Sequence, residues 1–400
     1  MKTILFLGAA SFQIPPILHA KKKGFRVITC DNNINNPGHK YADRSYEVST
    51  LDVGKVLEIA QKECVEAVLS YASDVSALTV AYVQSKLTLP GNSERSIMTL
   101  TNKNLFREFL FKNGFQRSEF RRFKKKDKNL VYDYVKKFDE GFVIKPTDSS
   151  GTKGVTVIYN DADIQPALDY AFGFSSRGEI IIEEYIKRIG KQVCGDGFFL
   201  NGELVFIEFG DGHTYDYPLP PVPWGETFPS SHETSVLIQV TKKLTEVLKA
   251  AGFKVGPFNF DVIITADGKP FIIEIGPRAG GNFIQDIIRL NTGVDLIEHS
   301  INCALGNPVN INKIKSTDNN FYASYMLHSL KAGVLRSIDF APEITPFIYK
   351  KNIYIETGDK VEKFDHGMHA FGNIIFKFKT LGEMQGTYEF INEKISIGIQ

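Results

Sequence analysis

Cysteine is scarce: the four in 400 residues, Cys30, Cys64, Cys194 and Cys303, are scattered without metal or redox spacing. That excludes a disulfide framework and leaves reduced, mostly buried thiols. Charge of one sign is lacking too, because 47 Lys plus Arg against 46 Asp plus Glu leave a formal +1. No global field exists to grip nucleic acid or a membrane surface. No apolar run approaches the roughly 20 residues of a membrane-spanning helix, and no repeat or low-complexity tract occurs. The apolar run Ile4–Ala10 is too short for a secretory leader and enters patterned sequence directly, so a strand is expected there, in a cytoplasmic, globular protein. Two nucleotide motifs are missing. Gly8-Ala9-Ala10-Ser11 with Asp31 lacks the GxGxxG of a dinucleotide fold, and Asp148–Gly154 lacks Walker spacing and lies between two strands.

What is present alternates. Strand signals at Thr3–Gly8 and Arg26–Cys30 enclose a helix at Pro15–Lys23, and a helix at Val53–Glu63, a strand at Ala67–Tyr71 and a helix at Ser76–Ser85 continue the pattern. Such alternation predicts a parallel α/β sheet. Leu105, Phe106, Phe109 and Leu110 share one face of a helix spanning Thr101–Asn113, with Lys103 in its first turn. The basic stretch Arg121–Lys128 reads as a solvated edge before a helix at Leu130–Phe138. Strands Phe142–Lys145 and Val155–Tyr159 flank a polar turn, and further strands fall at Glu179–Glu183, Val193–Leu200 and Leu204–Phe209, the last two joined at Asn201-Gly202. Gly210–Ser231 shows no periodicity and reads as a long functional loop. A helix at Ser235–Ala250, strands at Asn259–Thr265 and Pro270–Ile275 joined at Asp267-Gly268, and helices at Phe283–Leu290 and Asp295–Leu305 follow. The remainder, strand-like at Ile353–Glu356 and Asn373–Lys379, reads as a small β-rich unit. The expected layout is residues 1–95, 96–310 with a subdomain at about 118–186, and 311–400.

Two constellations carry chemistry. In the turn Ser149-Ser150-Gly151-Thr152-Lys153-Gly154, glycines free backbone N–H groups to face an anion, and the side chains add donors. Lys145 lies in the apolar strand just before it and needs a partner if it points inward, which a phosphate would supply. Farther on, Asp261 and Glu274 sit in apolar strands joined by a tight turn. Two carboxylates facing one cavity repel each other and invite a cation such as Mg²⁺, with Arg278 beside them as a fixed cationic fork.

In order, Lys103, Lys145, the Ser/Gly turn, Ile180-Ile181-Ile182-Glu183-Glu184-Tyr185-Ile186, Asp261 and Glu274-Ile275-Gly276-Pro277-Arg278 resemble the ATP-grasp superfamily. Its members include D-alanine:D-alanine ligase, biotin carboxylase, carbamoyl phosphate synthetase and phosphoribosylglycinamide synthetase. The resemblance spans nearly the whole chain and implies a mixed α/β and α+β architecture. An N-terminal Rossmann-like pre-ATP-grasp domain, a lid, a central domain and a small β-rich C-terminal unit are then expected.

By that resemblance, Lys103 and Lys145 touch the phosphates of ATP, and the Ser149–Gly154 turn closes over them. Glu183, Glu184, Tyr185 and Ile186 form the adenine-reading hinge, with Glu184 nearest the exocyclic amine. Asp261 and Glu274 hold Mg²⁺, or Mn²⁺ in its place, and Arg278 stabilises an acyl phosphate. Ser11, Ser73 and Asp74, at the carboxyl ends of the N-terminal strands, are substrate-side residues.

Two positions depart from the family pattern. Gln192 stands where a ribose-binding acid is usual. Gly276 replaces the Asn of the Glu-x-Asn metal motif, so one metal ligand is missing or supplied elsewhere, with Asn282 or Asn259 as candidates, which puts a second Mg²⁺ in question though not the first. Asp211, His213, Tyr215, Asp216 and Trp224 of the long loop are candidates for reading substrate polarity. The other seven histidines show no ligand spacing.

The expected activity is ATP-dependent ligation of a small carboxylate to an amine, with no nucleic-acid or membrane partner and with homodimerisation allowed. Its rivals are carboxylation through carboxyphosphate, discriminated by bicarbonate-dependent ADP release, and a nucleotide-binding module with degraded chemistry.

Overall fold

The computed structural model describes residues 1–215, 221–311 and 320–400. The N-terminal part alternates β1 (Thr3–Leu7), α1 (Ile14–Lys22), β2 (Arg26–Asp31), β3 (Arg44–Glu47), α2 (Val53–Lys62) and β4 (Ala67–Ser70). Its four strands form an all-parallel sheet in the order β3-β2-β1-β4. Every residue of β1 is buried, as an all-parallel sheet covered on both faces demands. Helices α3 (Asp74–Leu87), α4 (Glu94–Thr101) and α5 (Lys103–Lys112) follow. Asn102 caps α5 by accepting the Leu105 N–H at 3.0 Å, which fixes Lys103 as the first helical residue.

The next layer is a small antiparallel sheet ordered β5-β8-β6-β7. It comprises β5 (Phe120–Lys124), α6 (Lys128–Val135), β6 (Phe142–Pro146), β7 (Thr156–Ile158), α7 (Ile164–Gly173) and β8 (Glu179–Glu184). Phe123, Val131, Ile144, Leu168, Ile180 and Ile182 form its own core. The basic stretch at Arg121 is the edge strand β5 itself, and its charges face solvent.

A long sheet then carries β9 (Arg188–Leu200), β10 (Glu203–Thr214), β11 (Pro223–Phe228), β12 (Gly256–Thr265) and β13 (Pro270–Gly276). It is backed by α8 (Thr234–Ala250), α9 (Ile284–Thr292) and α10 (Leu296–Ala304). The C-terminal part adds β14 (Phe321–Leu327), β15 (Gly333–Phe340), β16 (Ile348–Ile353), β17 (Lys360–Val361), β18 (Gly372–Phe378), α11 (Leu381–Tyr388), α12 (Ile391–Lys394) and β19 (Ile395–Ile399). Strands β14, β18 and β16 extend the long sheet to eight, ordered β13-β12-β9-β10-β11-β14-β18-β16. Residues 320–400 therefore contribute three strands continuous with the central sheet.

The expected loop Gly210–Ser231 is largely the end of β10 and all of β11, and Asp216 lies outside the described residues. The strand expected at Ile353–Glu356 ends at Ile353. Among the described residues no helix is long and apolar enough to cross a membrane.

Candidate functional site

Strands β12 and β13 pair antiparallel with Asp261 directly opposite Glu274, and a register irregularity follows Asp261. Burial, and next the Glu274 charge, raise the Asp261 carboxyl well above the ordinary range, against a 2.5 Å hydrogen bond donated by Gln192 Nε2. Across from this pair, Glu226 on β11 is buried and accepts the Ser324 hydroxyl at 3.1 Å. Burial, then Asp261, push Glu226 up to about 8. Glu226 is absent from the sequence reading because it lies in the stretch taken as loop.

Lys145 faces inward as its apolar strand requires, and its Nζ is 2.8 Å from Glu183 Oε2. The partner expected from sequence was a phosphate; the protein supplies a carboxylate. Arg107 of α5 clasps the same carboxylate at 3.2 and 3.4 Å and donates to the Ile272 and Ile273 carbonyls at 3.1 and 2.7 Å. Burial alone raises Glu183, but Arg107 and Lys145 outweigh it and bring the carboxyl down to about 2. Lys103 reaches the turn by donating to the Ser149 carbonyl. Gly151, Thr152 and Gly154 of that turn take φ of +65°, +66° and +73°.

Arg278 and Asp74 form a bidentate pair, Nε to Oδ1 2.8 Å and Nη2 to Oδ2 2.7 Å, joining the central sheet to the start of α3. Gly276 explains itself here: a Cβ at that position would lie 2.7 Å from Asp74 Oδ1 and 3.0 Å from Arg278 Cζ. Asn259 is committed elsewhere, donating to the Gly195 carbonyl and to the buried Asp196 at 3.0 and 2.8 Å. Asn282 lines the cavity at φ +51°.

One cavity of about 690 Å³ collects most of these groups. Of the sequence-derived residues, Ser11, Asp74, Lys103, Lys145, Ser149, Ser150, Gly151, Thr152, Lys153, Tyr185, Ile186, Gln192, Asp261, Glu274, Arg278 and Asn282 line it. Five lie behind its wall. Gly154 packs against Pro146, Glu183 meets the cavity through Lys145, and Ser73 bonds Ser76 at 3.1 Å. Glu184 accepts the Glu119 N–H at 3.2 Å. His213 is turned into the core against Trp224 and Tyr388, where burial drives it down to about 3.

The hinge backbone is partly committed too: the N–H groups of Glu184 and Tyr185 donate to the carbonyls of Glu119 and Gly141. The remaining wall comes from the C-terminal part, including Tyr354, Lys360, Glu362, Met368, His369 and Asn373. Nothing in their spacing announced them, because β17 and β18 bring them there through the fold.

A small antiparallel sheet and a carboxylate-bearing sheet that line one cavity beside a parallel α/β domain define the class of fold. Residues 138–286 match the family model of the ATP-grasp domain. The chain superposes on the L-amino acid ligase from Bacillus licheniformis with a TM-score of 0.80 at 18% identity, covering 100% of this chain and 99% of that one. Phosphoribosylglycinamide synthetase from Anaerococcus prevotii follows it with a TM-score of 0.76 at 20% identity over 100% of both chains. In sequence, the formate-dependent phosphoribosylglycinamide formyltransferase of Aliivibrio fischeri is 27% identical over 186 residues, 46% of this chain and 47% of that protein. The chain spans about half the length of the curated relatives it matches. Residues 138–286 thus carry the ATP-grasp domain match, and the chain shares the fold of these structures.

Proposed function

We propose that this chain is an ATP-dependent ligase that activates a small carboxylate as an acyl phosphate and passes the acyl group to an amine, releasing ADP and phosphate. One observation carries the reading: Asp261 and Glu274 stand opposite each other on one cavity wall, with Arg278, Lys145 and the glycine turn on the same cavity. The pair fits a divalent cation of the Mg²⁺ or Mn²⁺ kind, because two half-buried oxygen-donor carboxylates face each other and repel, as the raised Asp261 carboxyl reflects. Such an ion supplies charge neutralisation at the nucleotide phosphates.

The protein's own groups do the positioning. Asp261 and Glu274 hold the ion, with Gln192 orienting Asp261. Lys103, Lys145 and the N–H groups of the turn cradle phosphate, while Arg278, held rigid by Asp74, faces the oxygens that gain charge. A carboxylate oxygen attacks the γ-phosphorus as the bond to ADP breaks; the amine nitrogen then attacks the acyl carbon, phosphate leaves, and the amine proton goes to solvent. Lid closure excludes the water that would hydrolyse the acyl phosphate.

The test is a phosphate-release screen of carboxylic acids paired with amines, including amino acids and amino sugars, run beside Asp261→Asn and Glu274→Gln. Release that requires both an acid and an amine, and collapses in the two folded variants, is expected. Full activity of both variants at low Mg²⁺ would remove the pair from the site.

A further inference from the structure

Between β17 and β18, Asp365, His366 and His369 gather in a way the histidine spacing did not announce. One ligand atom from each lies within 4.8 Å of the other two. Asp365 Oδ1 is 2.9 Å from His369 Nδ1 and 3.8 Å from His366 Nε2, and the two imidazole centroids are 3.8 Å apart. A tetrahedral ion with bonds of about 2.1 Å needs ligand atoms about 3.4 Å apart, close to the 3.8 Å between Asp365 Oδ1 and His366 Nε2.

An Asp365–His369 ion pair would account for two of the three groups and leave the third without a role. His366 is only 7% exposed, and its Nδ1 has no hydrogen-bond partner. Asp365 Oδ1 is likewise buried without a hydrogen bond. His369 Nδ1 sits 2.8 Å from the Lys363 carbonyl; donating there fixes the tautomer and leaves Nε2 to ligate. Lys153 opposes a cation here, being among the charges that depress His366, and the Asp365 carboxylate offsets it.

The location gives the cluster a consequence. The Gly367 N–H donates to the Gly151 carbonyl at 3.1 Å, and Phe174 packs edge-on against the His366 ring. The cluster is therefore the seam between the C-terminal part and the lid.

We propose that Asp365, His366 and His369 form a second metal site, separate from the Asp261–Glu274 pair, that takes a nitrogen-preferring transition ion of the Zn²⁺ kind and pins the lid to the C-terminal part. One carboxylate with two imidazoles selects Zn²⁺ or Co²⁺ over Mg²⁺, whereas the oxygen-only pair in the cavity has the opposite preference.

The experiment uses the full chain carrying Asp261→Asn and Glu274→Gln, stripped with chelator and titrated with Co²⁺ by visible absorption and with Zn²⁺ by calorimetry. One equivalent with four-coordinate Co²⁺ bands is expected, weakened at least about tenfold by adding Asp365→Asn or His369→Gln in protein that circular dichroism finds folded. In the chain without substitutions, Zn²⁺ should slow hydrogen exchange in peptides 148–155 and 363–371 without nucleotide. Affinity unchanged in both added variants, no binding at millimolar ion, or bound Zn²⁺ that leaves 363–371 exchanging at its free rate would each overturn the site. None of these readouts depends on ligase activity.

Discussion

At position 276 the neighbours demand the smallest side chain. Asp74 and Arg278 meet across the space a Cβ would fill, so the Asn of the usual ATP-grasp motif cannot be restored without displacing the pair. Gly276→Asn should lower the rate of ADP release at least about tenfold, since small misplacements of positioning groups carry costs of that order. It should not reduce the Mg²⁺ requirement. A Mg²⁺ titration of ADP release checks both, and a variant with lower Mg²⁺ demand would refute the packing account.

Glu226 gives a pH test. Its folded value near 8 stands above the ordinary 4.5, so between these values the folded state binds more protons than the unfolded one. Stability is then full below pH 4.5 and falls as pH rises towards 8. Asp196, raised by burial to about 6, and Asp261 act in the same direction. The metal-free protein should therefore lose up to a few kcal/mol, at no more than about 1.4 kcal/mol per pH unit per group. Glu226→Gln should flatten the fall in Tm between pH 5 and 8, and Mg²⁺ should raise Tm most at pH 8. Equal slopes with and without Glu226 would refute it. The acid pair was legible because both acids interrupt apolar strands. Glu226 was not, because Gly225 beside it disguised the strand.

Among the elements, the lid hairpin depends on one glycine more than another. A Cβ at Gly154 would lie 2.6 Å from Pro146 Cγ in backbone already at φ +73°, whereas Gly151 has nothing within 4 Å. Gly154→Ala should strain the hairpin by about 1–3 kcal/mol and weaken the slowing of hydrogen exchange over residues 146–155 by ATP with Mg²⁺. Gly151→Ala meets only the backbone preference and should do less. Equal effects would mean the Pro146 contact is irrelevant.

Legibility of the elements follows the same chemistry. The hairpins at Phe142–Tyr159 and Val193–Phe209 were readable because apolar runs flank turn residues; Asn201 and Gly202 take φ of +54° and +80°. The end of β10 and all of β11 were not, because Gly210 and Gly225 look like loop residues. They are glycine because a Cβ would run into the Phe228 ring and the Tyr388 hydroxyl. Edge strand β16 alternates half-buried and exposed residues, and its lysines masked all but its last residue.

The whole molecule is joined where no local pattern could reveal it. Helix α10 and its C-cap bury Ile301 and Leu305 against Ile4 of β1 and Ile17 of α1, and Arg278–Asp74 spans the same boundary. The lid is tied down by Arg107, whose side chain is 4% exposed and links α5, the β13 carbonyls and Glu183 of β8. These partners lie 76 to 166 residues away in sequence, so Arg107 read only as one residue of an amphipathic helix. Arg107→Met keeps the volume but leaves Glu183 with Lys145 alone and strands two carbonyls. It should cost about 3–5 kcal/mol and speed exchange in β6 and β8 before β9 and β10. Because much of that cost is an uncompensated carboxylate, adding Glu183→Gln should recover part of it, and the double variant should be more stable than the sum of the single losses implies. Denaturant unfolding of the four proteins measures the coupling. Strict additivity would mean that Arg107 and Glu183 act independently and that the lid is held by its other contacts.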